Sequence, residues 1–191
     1  VSGLMYSRKR KVLTGVSYTV AKNEMVFFDT LREGLQQKLE EKLPGYEVGI
    51  TSFSEDETKA VVVTYSDKSR GTYYYYDLDK NKLIELGQVS PWLNEEDMCE
   101  MKPIHYKSRD GLIINGYLTL PNGTNGENLP VVVNPHGGPW HRDTWGYNSE
   151  VQFLANRGFA VFQMNFRGST GYGREFWEKS FKQWGLSLIH I

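Results

Sequence analysis

The sequence is poor in the features that define several protein classes. It has one cysteine, Cys99, which excludes an internal disulfide and a cysteine-rich metal site. Its 22 basic and 23 acidic residues give a formal net charge of −1, so the charge balance does not favour binding to nucleic acid or to an anionic membrane. No apolar run approaches the ~20 residues of a transmembrane helix. We therefore expect neither a nucleic-acid partner nor a membrane partner.

The beginning of the chain carries no targeting signal. Residues 1–7 lack the basic region and the long apolar region of a signal peptide, and the first residue is not methionine. We expect the natural N-terminus to be missing, so the compartment, cytoplasmic or periplasmic, stays open. The hydrophobic content of 39% suffices for the core of a soluble protein.

Residues 1–88 have the pattern of a β-rich domain with one helix. Strand-like runs at 11–20 and 24–29 flank a short hairpin turn. A capping box formed by Thr30 and Glu33 is followed by leucines at every fourth position, which predicts an amphipathic helix. These leucines are Leu31, Leu35, Leu39 and Leu43.

Four more strand-like runs follow the helix and are separated by polar turns. They lie at 46–53, 58–65, 72–77 and 82–86. Four antiparallel strands in ~40 residues is the size of one β-propeller blade. The sequence therefore predicts that residues 1–88 are the C-terminal end of a β-propeller domain, with its last blade and part of the blade before it.

A polar connector occupies residues 89–100. It contains three consecutive acidic residues at 95–97, for which a metal site is one interpretation. A solvated linker is favoured, because side chains at adjacent loop positions rarely converge on one ion. We expect a solvated linker here, and neither a metal nor a cofactor in the chain.

From residue 101 the pattern changes to that of an α/β-hydrolase domain. Two strands at 102–107 and 112–120 meet at an Asp-Gly hairpin signal. The valine-rich run at 130–134 predicts a strand buried on both faces, as in a parallel sheet. Then come a helix at 150–157, a strand at 159–166 and an amphipathic helix at 173–184. This order predicts the N-terminal half of an α/β-hydrolase domain over residues 101–185.

A His-Gly-Gly-Pro sequence at 136–139 directly follows the valine-rich strand. Two glycines allow a positive φ and bring a backbone N–H close to a reacting carbonyl, where a Cβ would obstruct it. An ordinary Gly-Gly-Pro turn is the alternative, and the position between a buried strand and a helix favours the functional interpretation. We predict that Gly137 and Gly138 form the oxyanion hole. His136 is expected to brace the turn through its ring nitrogens rather than to transfer a proton.

A second glycine-rich sequence links the next strand to a helix through Gly168, Gly171 and Gly173. The glycine spacing is the reverse of the dinucleotide-binding motif, and the Lys-Ser or Lys-Thr pair of a phosphate loop is missing. No nucleotide cofactor is therefore expected. Arg167, just before this loop, is expected to bind nearby carbonyls or carboxylates through its planar fork of donors.

The sequence contains no Gly-x-Ser-x-Gly motif, which carries the nucleophile of an α/β-hydrolase on a tight strand-to-helix turn. Ser169 comes nearest, but Arg167 stands where the first glycine is needed, so Ser169 is not predicted to be the nucleophile. The order in this fold is Ser, then Asp, then His, and no histidine here fits the general base. The four histidines are His105, His136, His141 and His190. We therefore predict no catalytic residue within the chain.

Several segments resemble the prolyl oligopeptidase family of serine peptidases, in its acylaminoacyl-peptidase and dipeptidyl-aminopeptidase branch. They are 136–140, 152–161, 165–173 and 182–185. The resemblance implies a peptidase that cleaves short peptides by acyl-enzyme chemistry, with a propeller that limits access to the active site. It also implies that Gly137 and Gly138 supply the oxyanion contact. Arg142 and Tyr172 would support that region, and the Ser, Asp and His of the triad would lie beyond Gly185.

The sequence departs from the family pattern after Gly185. Residues 186–191 are expected to be a non-native tail, and the chain is expected to be a truncated, inactive fragment of its parent. An esterase of the same fold is one alternative for the parent, and a non-catalytic binding module is another. The propeller-like strands favour the peptidase.

Overall fold

The computed structural model describes residues 2–138 and 140–186. The chain divides into a first unit, Val1–Tyr18 with Asn23–Glu96, and a second unit, Thr19–Lys22 with Asp97–Ile191. Pro139, His190 and all of the predicted tail except Leu186 lie outside the described residues. None of the described helices has the length and apolar character needed to cross a membrane.

The first unit begins with a three-stranded sheet in the order β1-β2-β3. Its strands are β1 Gly3–Ser7, β2 Val12–Thr19 and β3 Asn23–Phe27. Strands β2 and β3 confirm the two predicted runs. Strand β1 is not predicted, because Leu4, Met5 and Tyr6 follow one another without alternating polar residues. In the structure Leu4 and Tyr6 are 69% and 54% exposed.

Helix α1, Thr30–Lys42, confirms the predicted helix but not its cap. The N-cap is Asp29 rather than Thr30, because the Asp29 side chain accepts a hydrogen bond from the backbone N–H of Arg32 at 2.9 Å. Leu31, the first leucine of the predicted stripe, is 70% exposed. The buried face of the helix consists of Arg32, Gln36 and Leu39.

The four strand-like runs after α1 form one antiparallel sheet in sequence order, as predicted. Its strands are β4 Glu47–Phe53, β5 Lys59–Tyr65, β6 Thr72–Asp77 and β7 Lys82–Gln88. Tyr76 of β6 is buried against Val62 of β5 and Leu39 of α1. The helix therefore covers one face of this sheet and forms a core with it.

The second unit contains a four-stranded sheet in the order β10-β11-β9-β8. Its strands are β8 Met101–Lys107, β9 Ile113–Thr119, β10 Val131–Val133 and β11 Ala160–Asn165. Strands β8, β9 and β11 pair antiparallel, whereas β10 and β11 pair parallel. Helix α2, Ser149–Ala155, packs on the sheet through the fully buried side chains of Val151 and Ala155.

Strand β10 is an edge strand within the described residues, so the prediction that 130–134 is buried on both faces is wrong. In that part of the chain β10 has one neighbour, β11. Val131 and Val133 are 59% and 57% exposed, while Val132 on the opposite face is half-buried. A run of valines indicates an apolar strand, but the sheet order decides which of its faces is covered.

The exposed edge of β10 predicts self-association of the 191-residue chain. Lysine at Val131 and Val133 places charge along this edge and is expected to shift the chain toward a monomer, because charged side chains block edge-to-edge strand pairing. Light scattering after size exclusion, over a range of protein concentrations, measures the mass. The matched control places lysine at Val12 and Val26, each 41% exposed. An equal shift toward the monomer in that control would contradict the conclusion that the chain associates through β10.

Helix α3 is shorter than predicted. The pattern at 173–184 predicts one amphipathic helix, but α3 covers only Arg174–Glu178. Beyond it the backbone N–H groups of Ser180, Phe181 and Gln183 each bond to the carbonyl three residues earlier, which is the pattern of successive tight turns rather than of an α-helix. After Glu178 the apolar residues keep the predicted spacing in the sequence, but the backbone hydrogen bonds are not those of an α-helix.

Candidate functional site

The two glycine-rich sequences meet at one edge of the second sheet. Strands β10 and β11 are parallel, so the loops that follow their carboxyl ends lie side by side. The backbone N–H of Asn134, just after β10, donates to the carbonyl of Phe162 in β11 at 2.8 Å. The backbone N–H of Thr170 donates to the carbonyl of His141 at 3.0 Å and joins the two loops further along.

The predicted oxyanion turn is open to solvent. Gly137 and Gly138 are both exposed, and Gly138 has a φ of +64°, a conformation that favours glycine. Among the described residues, and leaving out the chain neighbours, no atom lies within 4 Å of a Cβ added at either position. The described part of the chain therefore leaves the space in front of this turn open to a ligand.

His136 lies half-buried behind the turn. Its Nε2 is 2.8 Å from Oγ of Ser169, its Nδ1 is 3.3 Å from the carbonyl oxygen of Gly137, and its ring stacks on Phe166 at a centroid distance of 4.4 Å. Burial lowers the pKa of His136. Because a carbonyl can only accept, the Nδ1 contact requires a proton on Nδ1, and the neutral ring then accepts the Ser169 hydroxyl at Nε2.

Ser169 is fully buried. Its 2.8 Å contact with His136 has the geometry of a serine–histidine pair, but a nucleophile must reach a substrate carbonyl. A hydroxyl without solvent access cannot do so. Ser169 is therefore part of the scaffold behind the turn.

Arg142 and Tyr172 form a second connection between the loops. The Nη2 of Arg142 donates to the Tyr172 hydroxyl at 2.9 Å, and the guanidinium lies 4.5 Å from the centre of the Tyr172 ring. The same guanidinium also donates to the carbonyls of Thr19 and Val20. A Cβ on Gly171 would come within 2.5 Å of Arg142 Nη1, so glycine at 171 makes room for this guanidinium.

Asn165 is a site residue that sequence reasoning missed. It is fully buried at the end of β11, its Oδ1 accepts from the backbone N–H of Asp143 at 2.8 Å, and its Nδ2 donates to the carbonyl of Asp143 at 3.1 Å. Nδ2 also lies 2.8 Å from the Tyr172 hydroxyl. Burial raises the pKa of the Asp143 carboxyl. An asparagine at the end of a buried strand is the one sequence signal for this role.

Arg167 binds a carboxylate that the sequence did not single out. Its Nη1 and Nη2 reach the two oxygens of Asp110 at 2.7 and 3.0 Å, and Asp110 lies in the turn between β8 and β9. This two-point contact, with a hydrogen bond from Ser108, holds the pKa of Asp110 well below its usual range. The pair fastens the second glycine-rich loop to the β8–β9 hairpin.

The Asp110–Arg167 pair predicts a pH-dependent stability. Because the pKa of Asp110 is lower in the folded state, the stabilisation is present above the unfolded value of about 3.9 and is lost as the pH falls through the folded value. Asp110→Asn is expected to lower the denaturation midpoint near about pH 7, and this effect is expected to shrink gradually as the pH falls below about 3.9 toward the folded value. An Asp110→Asn effect that persists unchanged in an Arg167→Gln background would contradict the pairing.

Comparison with known proteins identifies the family of this chain. The model of the prolyl oligopeptidase family matches residues 145–189. The chain is 32% identical over 191 residues to dipeptidyl aminopeptidase BIII of Pseudoxanthomonas mexicana, an alignment that covers 96% of this chain and 28% of that enzyme. The chain belongs to the prolyl oligopeptidase family. It spans little more than a quarter of the length of this family member.

Solved structures of the same family share the fold. The acylaminoacyl peptidase of Pyrococcus horikoshii matches 74% of this chain with a TM-score of 0.56 and 25% identity, over 23% of its own length. A puromycin-hydrolyzing peptidase of Mycobacterium tuberculosis matches 90% of this chain with a TM-score of 0.64. Its identity of 24%, over 26% of its own length, supports a common fold. The arrangement is compatible with a propeller domain and an α/β-hydrolase domain.

Proposed function

We propose that the full-length protein is a serine peptidase that cleaves short peptides by acyl-enzyme chemistry, and that this chain supplies part of its oxyanion hole. The observation that carries the proposal is the exposed Gly137-Gly138 turn at the end of β10, braced from behind by His136. The names of the relatives, a dipeptidyl aminopeptidase and an acylaminoacyl peptidase, support peptides as the substrate class.

The geometry of the turn favours the N–H of Gly138 as the oxyanion donor. In a trans peptide unit the C=O of one residue and the N–H of the next point in opposite directions. Nδ1 of His136 contacts the carbonyl oxygen of Gly137 at 3.3 Å, so the N–H of Gly138 is directed away from the imidazole. When a nucleophile attacks a peptide carbonyl there, this N–H would stabilise the negative oxygen that forms.

The residues around the turn would keep it in place without touching substrate. Arg142 and Tyr172 hold the two loops together, and Arg167 fastens the second loop through Asp110. We assign these residues a supporting role. The nucleophile, the acid and the base of the triad would come from the part of the protein beyond Gly185, because Ser169 is buried.

The two units fit two domains of such a peptidase. We propose that residues 1–88 are the end of a β-propeller, that 89–100 connect the domains, and that 101–185 are the first half of the α/β-hydrolase domain. The four-stranded meander β4 to β7 supports the first assignment. The mixed sheet β10-β11-β9-β8, with its antiparallel start and parallel β10-β11 pair, supports the second.

The test is hydrolysis by the full-length protein. It is incubated with aminoacyl and dipeptidyl p-nitroanilides and with p-nitrophenyl esters of the same acyl groups. We expect the amides to be cleaved and the activity to be abolished by a fluorophosphonate, which modifies active-site serines. Cleavage of the esters alone would favour an esterase, and cleavage of neither would contradict a hydrolase and favour a binding module.

The 191-residue chain is the matched control for that assay. It is expected to release no p-nitroaniline, because it contains no nucleophile motif. Turnover by the purified chain that the fluorophosphonate blocks would show that a nucleophile lies within these residues and would overturn the assignment of the triad.

A further inference from the structure

We propose that Ser169 is a positioning residue for the oxyanion turn. Its buried hydroxyl bonds to Nε2 and holds the ring of His136 in place, and Nδ1 of that ring in turn holds the peptide unit between Gly137 and Gly138. This inference rests on the proposed function, since it concerns the geometry of the same turn. It gives the serine of the second glycine-rich loop a role in catalysis that does not require contact with substrate.

The ring of His136 is the link between the buried serine and the backbone of the turn. Only the tautomer with the proton on Nδ1 allows a hydrogen bond to the carbonyl of Gly137, because that oxygen can only accept. In a neutral ring with this proton, Nε2 is an acceptor and needs a donor. The hydroxyl of Ser169, 2.8 Å away, supplies it.

The opposite tautomer would reverse the interaction at the turn. With the proton on Nε2, the lone pair of Nδ1 would face the carbonyl oxygen of Gly137, and two acceptors 3.3 Å apart repel each other. Gly138 has no Cβ to resist a rotation of the peptide unit. The carbonyl would then turn away from the ring, and the N–H of Gly138 would leave the direction in which the oxyanion forms.

Ser169 is held firmly enough to fix the position of the imidazole ring. It is fully buried, and its backbone N–H donates to the carbonyl of Phe166 at 2.9 Å. The neighbouring backbone N–H of Gly168 donates to the carbonyl of Phe176, and that of Thr170 donates to the carbonyl of His141, each at 3.0 Å. The ring of Phe166 is also the surface on which His136 stacks, at 4.4 Å. Serine and imidazole are therefore positioned by the same short segment of chain.

The charged and titratable groups near His136 influence the charge of its ring, not the position in which Ser169 holds it. Asp143 favours the protonated imidazole, whereas His141 and Arg142 disfavour it. Burial also disfavours it and is the largest influence, so the pKa of His136 is lowered. Near neutral pH the ring is then uncharged, and the carbonyl of Gly137 selects the tautomer with the proton on Nδ1.

The test compares three forms of the full-length protein: wild type, Ser169→Ala and Ser169→Cys. Alanine removes the donor, and kcat is expected to fall about tenfold or more while KM stays within about twofold, as for other losses of catalytic positioning. Cysteine keeps a weak donor in a similar volume, and its kcat should lie between the other two. If the alanine variant does not fold, kcat of the cysteine variant relative to wild type tests the proposal.

A peptide aldehyde distinguishes positioning from a general loss of structure. The aldehyde forms a tetrahedral adduct with the active-site serine, and its oxygen occupies the oxyanion hole. Its inhibition constant should rise in Ser169→Ala by the same factor by which kcat/KM falls, while that of the non-covalent peptide product stays unchanged. Ser90→Ala is the control, because Ser90 also has a buried hydroxyl, which accepts a bond from Arg70 at 3.1 Å, and its kinetics should match wild type.

Three results would overturn the inference. Ser169→Ala with kcat within about twofold of wild type would show that the hydroxyl is dispensable. A fall in kcat without weaker aldehyde inhibition would show that the oxyanion turn is intact and that the serine acts elsewhere. A wild-type protein without amide hydrolysis would overturn the proposed function as well, and this outcome is separate because it needs no variant.

Discussion

Alanine at Gly138 is expected to lower kcat of the full-length protein about a hundredfold, close to 3 kcal/mol of transition-state stabilisation, with a much smaller change in KM. Gly138 has a φ of +64°, which an alanine adopts only at a cost of about 1 kcal/mol. The variant can relieve that cost by rotating the peptide unit that carries the Gly138 N–H. The added Cβ also lies in the open space in front of the turn.

The effect on catalysis should be much larger than the effect on folding. A Cβ at 138 meets no atom of the described residues within 4 Å beyond its chain neighbours, so the cost to stability should be only the strain of the positive φ, about 1 kcal/mol. Gly123→Ala is the matched control, because Gly123 also has a positive φ, +75°, and open space around it. Equal losses of kcat in the two variants would mean that the turn at 137–138 has no special role.

Alanine at Asn165 is expected to cost about 3 kcal/mol of the free energy of unfolding, the largest stability effect that we predict at the site. The side chain is fully buried and bonds to both the N–H and the C=O of Asp143 and to the Tyr172 hydroxyl. Alanine leaves the N–H of Asp143 without this partner, removes one of two bonds at the Asp143 carbonyl and at the Tyr172 hydroxyl, which both keep Arg142, and opens a small cavity. Chemical denaturation followed by tryptophan fluorescence measures the change.

Asn156→Ala is the control for that measurement. The Asn156 side chain donates one hydrogen bond, 3.0 Å long, to the carbonyl of Gln152 at the exposed end of α2. Its replacement should cost less than about 1 kcal/mol. If Asn165→Ala were no more destabilising than Asn156→Ala, the two loops would not depend on the Asn165 bonds.

Local patterns predicted most strands and helices correctly. Strand-like runs separated by polar turns marked β4 to β7, and each of these strands lies within two residues of its predicted bounds. The predictions are wrong where a neighbouring residue or strand determines the local structure. Asp29 displaces Thr30 as the cap of α1 because its carboxylate reaches the N–H of Arg32, and the valines of β10 are exposed because of their place in the sheet order.

The residues of the candidate site also divide into those that local sequence predicts and those that it does not. Two adjacent glycines after an apolar strand are a local signal, and Gly137 and Gly138 could be named from it. The partners of Arg167 and His136 could not, because Asp110 and Ser169 lie 57 and 33 residues away in the sequence. No periodicity relates residues at such distances.

The order of most strands and helices, the glycine turn and the family motifs follow from local sequence, because each depends on residues close together in the chain. That the two glycine-rich loops form one unit follows only from the folded arrangement. Parallel pairing of β10 with β11 brings their carboxyl ends to one edge, and there the buried bonds of Ser169, Asn165 and Tyr172 become possible. Hydrogen bonds depend on distances of about 3 Å between specific atoms, and only the folded chain sets those distances.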